Sequence, residues 1–545
     1  MADTNVSAHD TLATERESAA SNAATDSYRS PGASHRFTTN LLANVAGFSV
    51  SMAIGLFFTP YLIRNLGIAG YGLFPLTMTL MLYMGIVTLG LNSAVGRFLT
   101  IAVERGDTET SNRIFNTSLF GSLGLAVGVG APAFLLSSHV EWLVRIPPGS
   151  EVDARHLFIC AVCAFIITTI ATPFEVATFC RNRFDLRNAV ALSGTVVRIG
   201  LVILLFAVTV PGLWQIGIGL VLASVVSLVG AIYVWRRLLP FLSIRLSSFS
   251  REALKDLTSL GGWSVVNQVG AILYLGTDLL VVNRMLGPDA GGRYAAVQQW
   301  SAMLRALANA VGGIFGPSLT AYFARGDMDA LVAYCRRSTK FIGLTLAVPI
   351  GLVSGFSKPL LHVWLGAGLE QLAPLMSLMT ISLSITLSIT ALYWLQISAN
   401  CIKAPGLVTC AMGLVNLGLA VLFAGPRRWG LFGVALAGSL TLIAKDLIFT
   451  PIYSAHILKA KTTVFLGTIG PMVLATIAFA VVCYAASCCL SHWTWAKLIP
   501  ICFVLSVGFW AATFRLMLTS EERGTAVGLL PSFVGERCRA MGIGQ

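Results

Sequence analysis

Three cations stand inside long apolar runs of this chain. Arg198 lies within SGTVVRIGLVILL, Arg305 within WSAMLRALANAVGG and Lys445 within TLIAKDLIFT. Three acids are placed in the same way: Glu175 shortly after Pro173, Asp278 within AILYLGTDLLVVN, and Asp446 beside Lys445. A charge surrounded by hydrocarbon must face a partner, a wet cavity or a ligand. A guanidinium keeps its charge and can donate to two oxygens at once, so Arg305 and Arg198 are candidates for holding an anionic group. Asp278, Glu175 and Asp446 are candidates for a coupling proton or sodium ion. The structural alternatives are plain. Asp278 and Arg305 can pair with each other, Arg198 can reach the polar interface, and each acid can sit in an ion pair. Lys445 and Asp446 project about 100° apart on a regular helix, so each is expected to need another partner.

Seven amides share these surroundings: Asn44, Asn92, Asn267, Gln268, Gln298, Gln299 and Asn309. An amide both donates and accepts, which suits a hydroxyl-rich ligand and equally suits bonds between helices. Asn267-Gln268 and Gln298-Gln299 are the strongest pairs.

The elements that hold these side chains must be membrane helices. Hydrophobic residues make up 56% of the 545, and charged residues 11%. A soluble domain carries about 25% charged residues, and a bilayer span needs about 20 apolar ones. Fourteen such spans are expected, near 41–63, 73–95, 114–136, 157–179, 188–210, 213–235, 261–283, 293–315, 338–357, 372–398, 406–424, 431–453, 464–488 and 497–518. Little chain is left for a large soluble domain. Residues 1–35 are polar and read as a disordered tail, with no signal-peptide pattern before the first span.

Of the 37 Lys and Arg, 25 fall in segments on the side of the N-terminus and 9 in the opposite loops, with Arg198, Arg305 and Lys445 within spans. This is the positive-inside pattern. It places both termini in the cytoplasm and assigns the net charge of +13 to topology, with no nucleic-acid partner. Cys160-x-x-Cys163 has no second pair or His cluster beside it, so packing cysteines are expected rather than a metal site. No cofactor is implied beyond the coupling ion.

The chain repeats itself at a distance of 220 residues. Arg64-Asn65-Leu66-Gly67 returns as Arg284-Met285-Leu286-Gly287, Leu99-Thr100 as Leu319-Thr320, and Arg105-Gly106-Asp107 as Arg325-Gly326-Asp327. Adding 220 carries the first six spans onto the next six. An even number of helices per copy makes the repeat parallel, about an axis normal to the membrane. The expected organisation is a tail at 1–35, a six-helix lobe at 36–235, a cytoplasmic linker at 236–260 lying on the membrane surface, and a second six-helix lobe at 261–455. Two additional helices follow at 456–518, with a cytoplasmic tail at 519–545. Arg64 and Arg284 suit the membrane interface, and so do Tyr71 and Tyr294 beside the turns. Prolines 60, 75, 132, 173 and 349 are expected to kink their spans.

PYLIRNLGIAGYG, GRFLTIAVERGDT, LGPDAGGRYAAVQQW and GPSLTAYFARGDMDALV, in this order and spacing, resemble the polysaccharide transporter family. These are Wzx-type lipid-linked oligosaccharide flippases of the superfamily that includes MATE exporters. The resemblance covers about residues 36–455. It implies an all-α polytopic membrane protein with two six-helix MATE-like lobes around a cavity lined by spans 1, 2, 7 and 8. The two C-terminal helices are additions. It also implies an undecaprenyl-pyrophosphate-linked oligosaccharide as substrate, crossing the cytoplasmic (inner) membrane of a bacterium by alternating access. Membrane lipids are the surrounding partners, with a polysaccharide polymerase and glycosyltransferases as further ones.

Two other functions make different demands on the chain. A MATE-type drug exporter should offer acids to organic cations, whereas two Arg sit here beside few acids. A membrane-embedded polymerase or glycosyltransferase should show a long outer loop, a soluble domain or an acidic motif. The longest outer loop, 137–156, holds His139 and Arg145 without a catalytic constellation. No catalytic residue is expected.

Overall fold

In the computed structural model, residues 31–490, 492–519 and 522–523 are described, with side chains from residue 47 onward except at 48, 51, 87, 89–94, 256 and 258–264. Asn44 and Asn92 therefore lie outside the described side chains, as do most of the two expected tails. Every regular element among the described residues is helical. In chain order these are α1 (Pro31–Glu104), α2 (Thr108–Ser137), α3 (Glu151–Cys180), α4 (Phe184–Val208), α5 (Leu213–Leu238), α6 (Arg251–Leu275), α7 (Thr277–Leu286), α8 (Pro288–Gly313), α9 (Gly316–Arg325) and α10 (Met328–Gly355). Then come α11 (Ser357–Leu365), α12 (Ala373–Ile381), α13 (Leu383–Ser388), α14 (Thr390–Ser398), α15 (Lys403–Ala424), α16 (Gly430–Ile443), a π-helix (Ala444–Phe449), α17 (Thr450–Ile457), α18 (Leu466–Cys488) and α19 (Trp495–Leu516).

The repeated motifs are the turns between these helices. α1 folds back on itself at Gly67, whose φ of 72° belongs to the left-handed region that glycine adopts without penalty. Its repeat partner Gly287 does the same between α7 and α8, with φ 99°. The Arg-Gly-Asp segments work alike at the opposite end. Gly106 and Gly326, at φ 70° and 72°, end one helix. Asp107 and Asp327 then cap the next, accepting from the N–H of Thr110 at 2.9 Å and of Ala330 at 3.0 Å. The helix ends bearing Gly67 and Gly287 are termed distal, and those bearing Gly106 and Gly326 proximal.

Twelve helical stretches are long and apolar enough to cross a membrane among the described residues, against fourteen expected. The difference has two sources. Met52–Ile86 counts once although α1 reverses at Gly67 within it. The stretch at 293–315 lies in α8, whose polar residues keep it off the list of apolar spans. The third correction concerns span 338–357, which starts early, at Met328. The expected linker also shortens: α5 runs to Leu238 and α6 already starts at Arg251. The segment between is sewn onto α2. Asn116 donates to the Ser243 carbonyl at 2.8 Å and accepts from the Arg245 N–H at 2.8 Å, while Asn112 accepts from the Ser243 N–H at 2.8 Å.

The two helix groups touch closely at the distal end. A Cβ on Gly72 would lie 2.6 Å from the Gly292 Cα, so only glycine permits this crossing of α1 and α8. The two glycines are 220 residues apart, so equivalent points of the repeat meet, as on a two-fold axis. Asn283 at the end of α7 adds a clamp, accepting from the Arg145 N–H at 2.8 Å and donating to the Arg145 carbonyl at 3.1 Å. A third contact uses a proline. Pro60 cannot donate to the Leu56 carbonyl four residues earlier. The Trp364 indole N–H from α11 takes that carbonyl instead, at 2.5 Å. Tyr71 and Tyr294 are both buried, 2% and 0% exposed. They are packed inside the bundle, whereas Arg64 and Arg284 lie exposed.

Candidate functional site

The polar residues gather where the second helix group is least regular. The seventh, eighth, tenth and twelfth spans in the chain's order would be ordinary rods by hydropathy, yet the structure breaks each of them. α6 gives way to α7 at Gly276, α8 to α9 beyond Gly313, and α12, α13 and α14 follow one another with breaks. α16 passes through the π-turn at Ala444–Phe449. Such interruptions free backbone groups and re-aim side chains, and they are tolerated in a membrane only where protein or a wet cavity surrounds them.

Two joined cavities occupy this region. The more distal one, about 470 Å³, is bounded by Thr79 of α1, Asp278, Tyr294, Gln298, Gln299 and Ser439 among others. The other, about 390 Å³, is bounded by Asn267, Thr390, Tyr393, Gln396, Lys445 and Asp446 among others. Tyr274, Arg305 and Asn309 line both. Arg305 therefore stands at the junction. It is half-buried, and no hydrogen bond or ion pair holds its guanidinium among the described residues.

The acids are occupied differently from the sequence expectation. Asp278 does not pair with Arg305. It accepts from the Asn416 amide of α15 at 2.9 Å and from the Tyr294 hydroxyl of α8 at 3.1 Å. Gly438 of α16 leaves room for this carboxylate, since a Cβ there would lie 3.0 Å from Asp278 Oδ2. Lys445 and Asp446 do pair, against the argument from regular helix geometry: Nζ lies 2.8 Å from Oδ1. Two things reverse that argument. Both residues lie in the wider π-turn, and Tyr393 of α14 stands opposite them. Its hydroxyl receives Lys445 Nζ at 2.6 Å and donates to Asp446 Oδ1 at 2.5 Å. The two charges thus close a three-membered ring with one phenol.

The remaining candidates separate. Asn267, Gln298, Gln299 and Asn309 line the cavities, whereas Gln268 does not border them. Gln298 donates to the Leu275 carbonyl at 3.3 Å, beside the α6–α7 break. Gln299 reaches α1, where Gly55 leaves space for its amide. Arg198 lies elsewhere, packed on Gly219 of α5, its guanidinium 5.9 Å from the Phe74 ring centroid and its Nε buried without a hydrogen-bond partner. Glu175 is half-buried in α3 and borders neither cavity; the Arg187 charge acts on it. The prolines at 132, 173 and 349 stay within continuous helices.

Sequence reasoning missed Tyr274, Tyr294, Tyr393 and Asn416. The signal was available in part: tyrosines within spans are poor membrane anchors and good hydroxyl donors, and Tyr274 and Tyr393 stand close to helix breaks. Asn416 gave none beyond being an amide in an apolar run.

A family model described as polysaccharide biosynthesis protein matches residues 37–320. An uncharacterised membrane protein of Bacillus subtilis (strain 168), EpsK, is 34% identical over 489 residues, covering 90% of this chain and 97% of the relative. A putative O-antigen transporter of Shigella flexneri is 22% identical, covering 76% and 97%. Among solved structures, the lipid II flippase MurJ in an inward closed conformation is similar with a TM-score of 0.61 at 14% identity, covering 87% of this chain and 99% of that one. A Vibrio cholerae MATE transporter gives a TM-score of 0.57 at 16% identity, covering 79% and 98%. The likeness to these two structures concerns the fold.

Proposed function

The chain belongs to the polysaccharide biosynthesis protein family, and on that premise we propose that it moves a lipid-linked oligosaccharide across the bacterial cytoplasmic membrane by alternating access. The carrier lipid in this reading is undecaprenyl pyrophosphate, and both chain termini are cytoplasmic. The observation that carries the proposal is Arg305, a cation at the junction of two polar cavities with no hydrogen bond or ion pair among the described residues. Both acids beside it are engaged, Asp278 with Asn416 and Tyr294, Asp446 with Lys445 and Tyr393. Arg305 is then the cavity cation that neither hydrogen bond nor ion pair occupies among the described residues, and a guanidinium suits a pyrophosphate rather than an organic cation. Asn309, Gln298 and Gln299 offer amides suited to sugar hydroxyls, and Tyr274 a phenol.

The coupling ion in this reading binds on the same walls. Asp278 Oδ2 and Asn416 Oδ1 lie within 4 Å of one point beside Gly438, and that amide oxygen accepts no hydrogen bond from protein. A proton or a sodium ion fits there. Asp446 is the second candidate, and Glu175, remote from the cavities, the weakest. Opening would part the two helix groups at the distal contacts, with the α6–α7 break against Thr79 and Tyr83 of α1 as the bend.

The test is transport of lipid-linked oligosaccharide in sealed vesicles reconstituted with the full chain. The parent should translocate it, and Arg305→Ala should reduce the rate about 100-fold, about 2.7 kcal/mol of barrier. An unchanged rate for Arg305→Ala overturns the cationic site. Uptake of organic cations in its place would favour the exporter.

A further inference from the structure

The repeat permits a comparison at the proximal ends of α2 and α10. In α2, Asn116 and Thr117 are covered: they hold the segment after α5 through Ser243, Arg245 and Ser250. Adding 220 turns these positions into Arg336 and Arg337 of α10, and Phe120 into Lys340. Among the described residues no hydrogen bond ties a segment to Arg336, which lies exposed, and Arg336, Arg337 and Lys340 border an open cavity of about 550 Å³ between α10, the start of α18 and the chain beyond α19. This cavity is separate from the two that Arg305 joins.

Its walls are of two kinds. Arg336, Arg337 and Lys340 stand on one side, and Pro471, Met472, Leu516 and Met517 supply apolar surface on the others. Gly467 narrows nothing, since a Cβ there would meet no atom within 4 Å. One anion is already present. Glu522, past the end of α19, accepts from Lys340 Nζ at 2.6 Å and from the Thr519 N–H at 2.9 Å. Lys340 and Glu522 side chains are 19% and 18% exposed, so this carboxylate sits inside the cavity rather than over it. Arg336 is exposed, and no described residue pairs with it.

We propose that this cavity is a binding site for the phosphate head of an anionic membrane lipid, with the Glu522 carboxylate as a built-in competitor for Lys340. Arg336 and Lys340 would take the phosphate oxygens, which a charge-assisted bond favours over a neutral one. The Pro471, Met472 and Leu516 surface would take the first methylenes of the tail. The site borders the start of α18 and the end of α19, and cations near a membrane surface add to the attraction of an anionic leaflet. It is independent of the transported substrate, because it shares no residue with the Arg305 cavities.

The test is the thermal midpoint of the full chain in zwitterionic detergent, titrated with phosphatidylglycerol, with phosphatidylcholine of the same tails, and with inorganic phosphate. Phosphatidylglycerol should raise the midpoint saturably and the other two should not. The double variant Arg336→Gln/Lys340→Gln should weaken the apparent affinity about tenfold or more. Glu522→Gln, which frees Lys340 and removes a like charge, should strengthen it several-fold, and it guards against a double variant that fails to fold. Equal effects of the two lipids would reduce the cavity to an apolar groove. Saturation by inorganic phosphate alone would make it a free-phosphate site. Unchanged affinity in both the double variant and Glu522→Gln would place the lipid elsewhere. Each of these three results overturns the proposal.

Discussion

The first six helices and the next six descend from one repeated pattern, yet they treat polarity in opposite ways. In the first group the helices α2 to α5 are unbroken, and the amides of α2 hold a surface segment. In the second group the helices break at Gly276, beyond Gly313, within α12–α14 and in the π-turn, and all of these breaks except the one beyond Gly313 border a polar cavity. The lesson is that the repeat sets the frame while departures from it set the chemistry. Arg305 aligns with Gly85 and Arg198 with Gly418, so neither cation belongs to the shared scaffold.

The largest expected effect sets the two cations against each other. Arg305→Ala should slow translocation in vesicles about 100-fold. Arg198→Ala should stay within about threefold, because its guanidinium packs on Phe74 and borders neither cavity. Equal losses would break the asymmetry between the groups. Next is the one place where the groups match, the Gly72–Gly292 crossing. Gly72→Ala puts a Cβ 2.6 Å from backbone that cannot yield, and should cost about 1–3 kcal/mol of stability. It should also raise thiol labelling of a cysteine placed at the distal end. Gly124→Ala, which meets no atom within 4 Å, is the silent control.

A third measurement compares buried and surface polarity by thermal unfolding. Asp278→Ala strands the Asn416 amide and the Tyr294 hydroxyl in the bundle and should cost about 1–3 kcal/mol. Asn116→Ala frees a segment that water can reach, and should cost about 1 kcal/mol. A reversed order would mean that the cavity around Asp278 is wet enough to solvate both groups.

The smallest effect is acid sensitivity at Glu522. Burial pushes this carboxyl up, but the bonds from Lys340 and Thr519 outweigh it and hold it below its ordinary value of 4.5. Its contribution to stability is therefore fully present above that value, and fades as pH falls through the lowered one. Between pH 7 and 5 the parent and Glu522→Gln should differ by a constant amount. The difference should shrink only in stronger acid. A shrinkage near neutrality would refute the Lys340–Glu522 bond.

How far the sequence reached follows from what kind of fact was sought. The helical class and the turns at Gly67, Gly106, Gly287 and Gly326 were legible, because apolar runs, glycines and a fixed spacing are properties of the chain itself. Which side chains converge was legible only in part. The Lys445–Asp446 pair was misjudged because a regular helix was assumed where a π-turn lies. Tyr294 was misread as an interface residue because aromatic rings near turns do favour the interface, and nothing local reveals that Asp278 awaits its hydroxyl. Asp278–Arg305 looked like a pair from charge alone, and Asn416, 138 residues from Asp278, supplied the partner that no short-range reading could find.

The Leu56 carbonyl carries one more consequence. Pro60 leaves it without a donor in its own helix, and Trp364 from the other helix group supplies one. A bare carbonyl in hydrocarbon costs several kcal/mol. If the groups part, that oxygen must be wetted at once. Separation and hydration are then a single event at this point, and the distal side can unseal only along a path that water is able to follow.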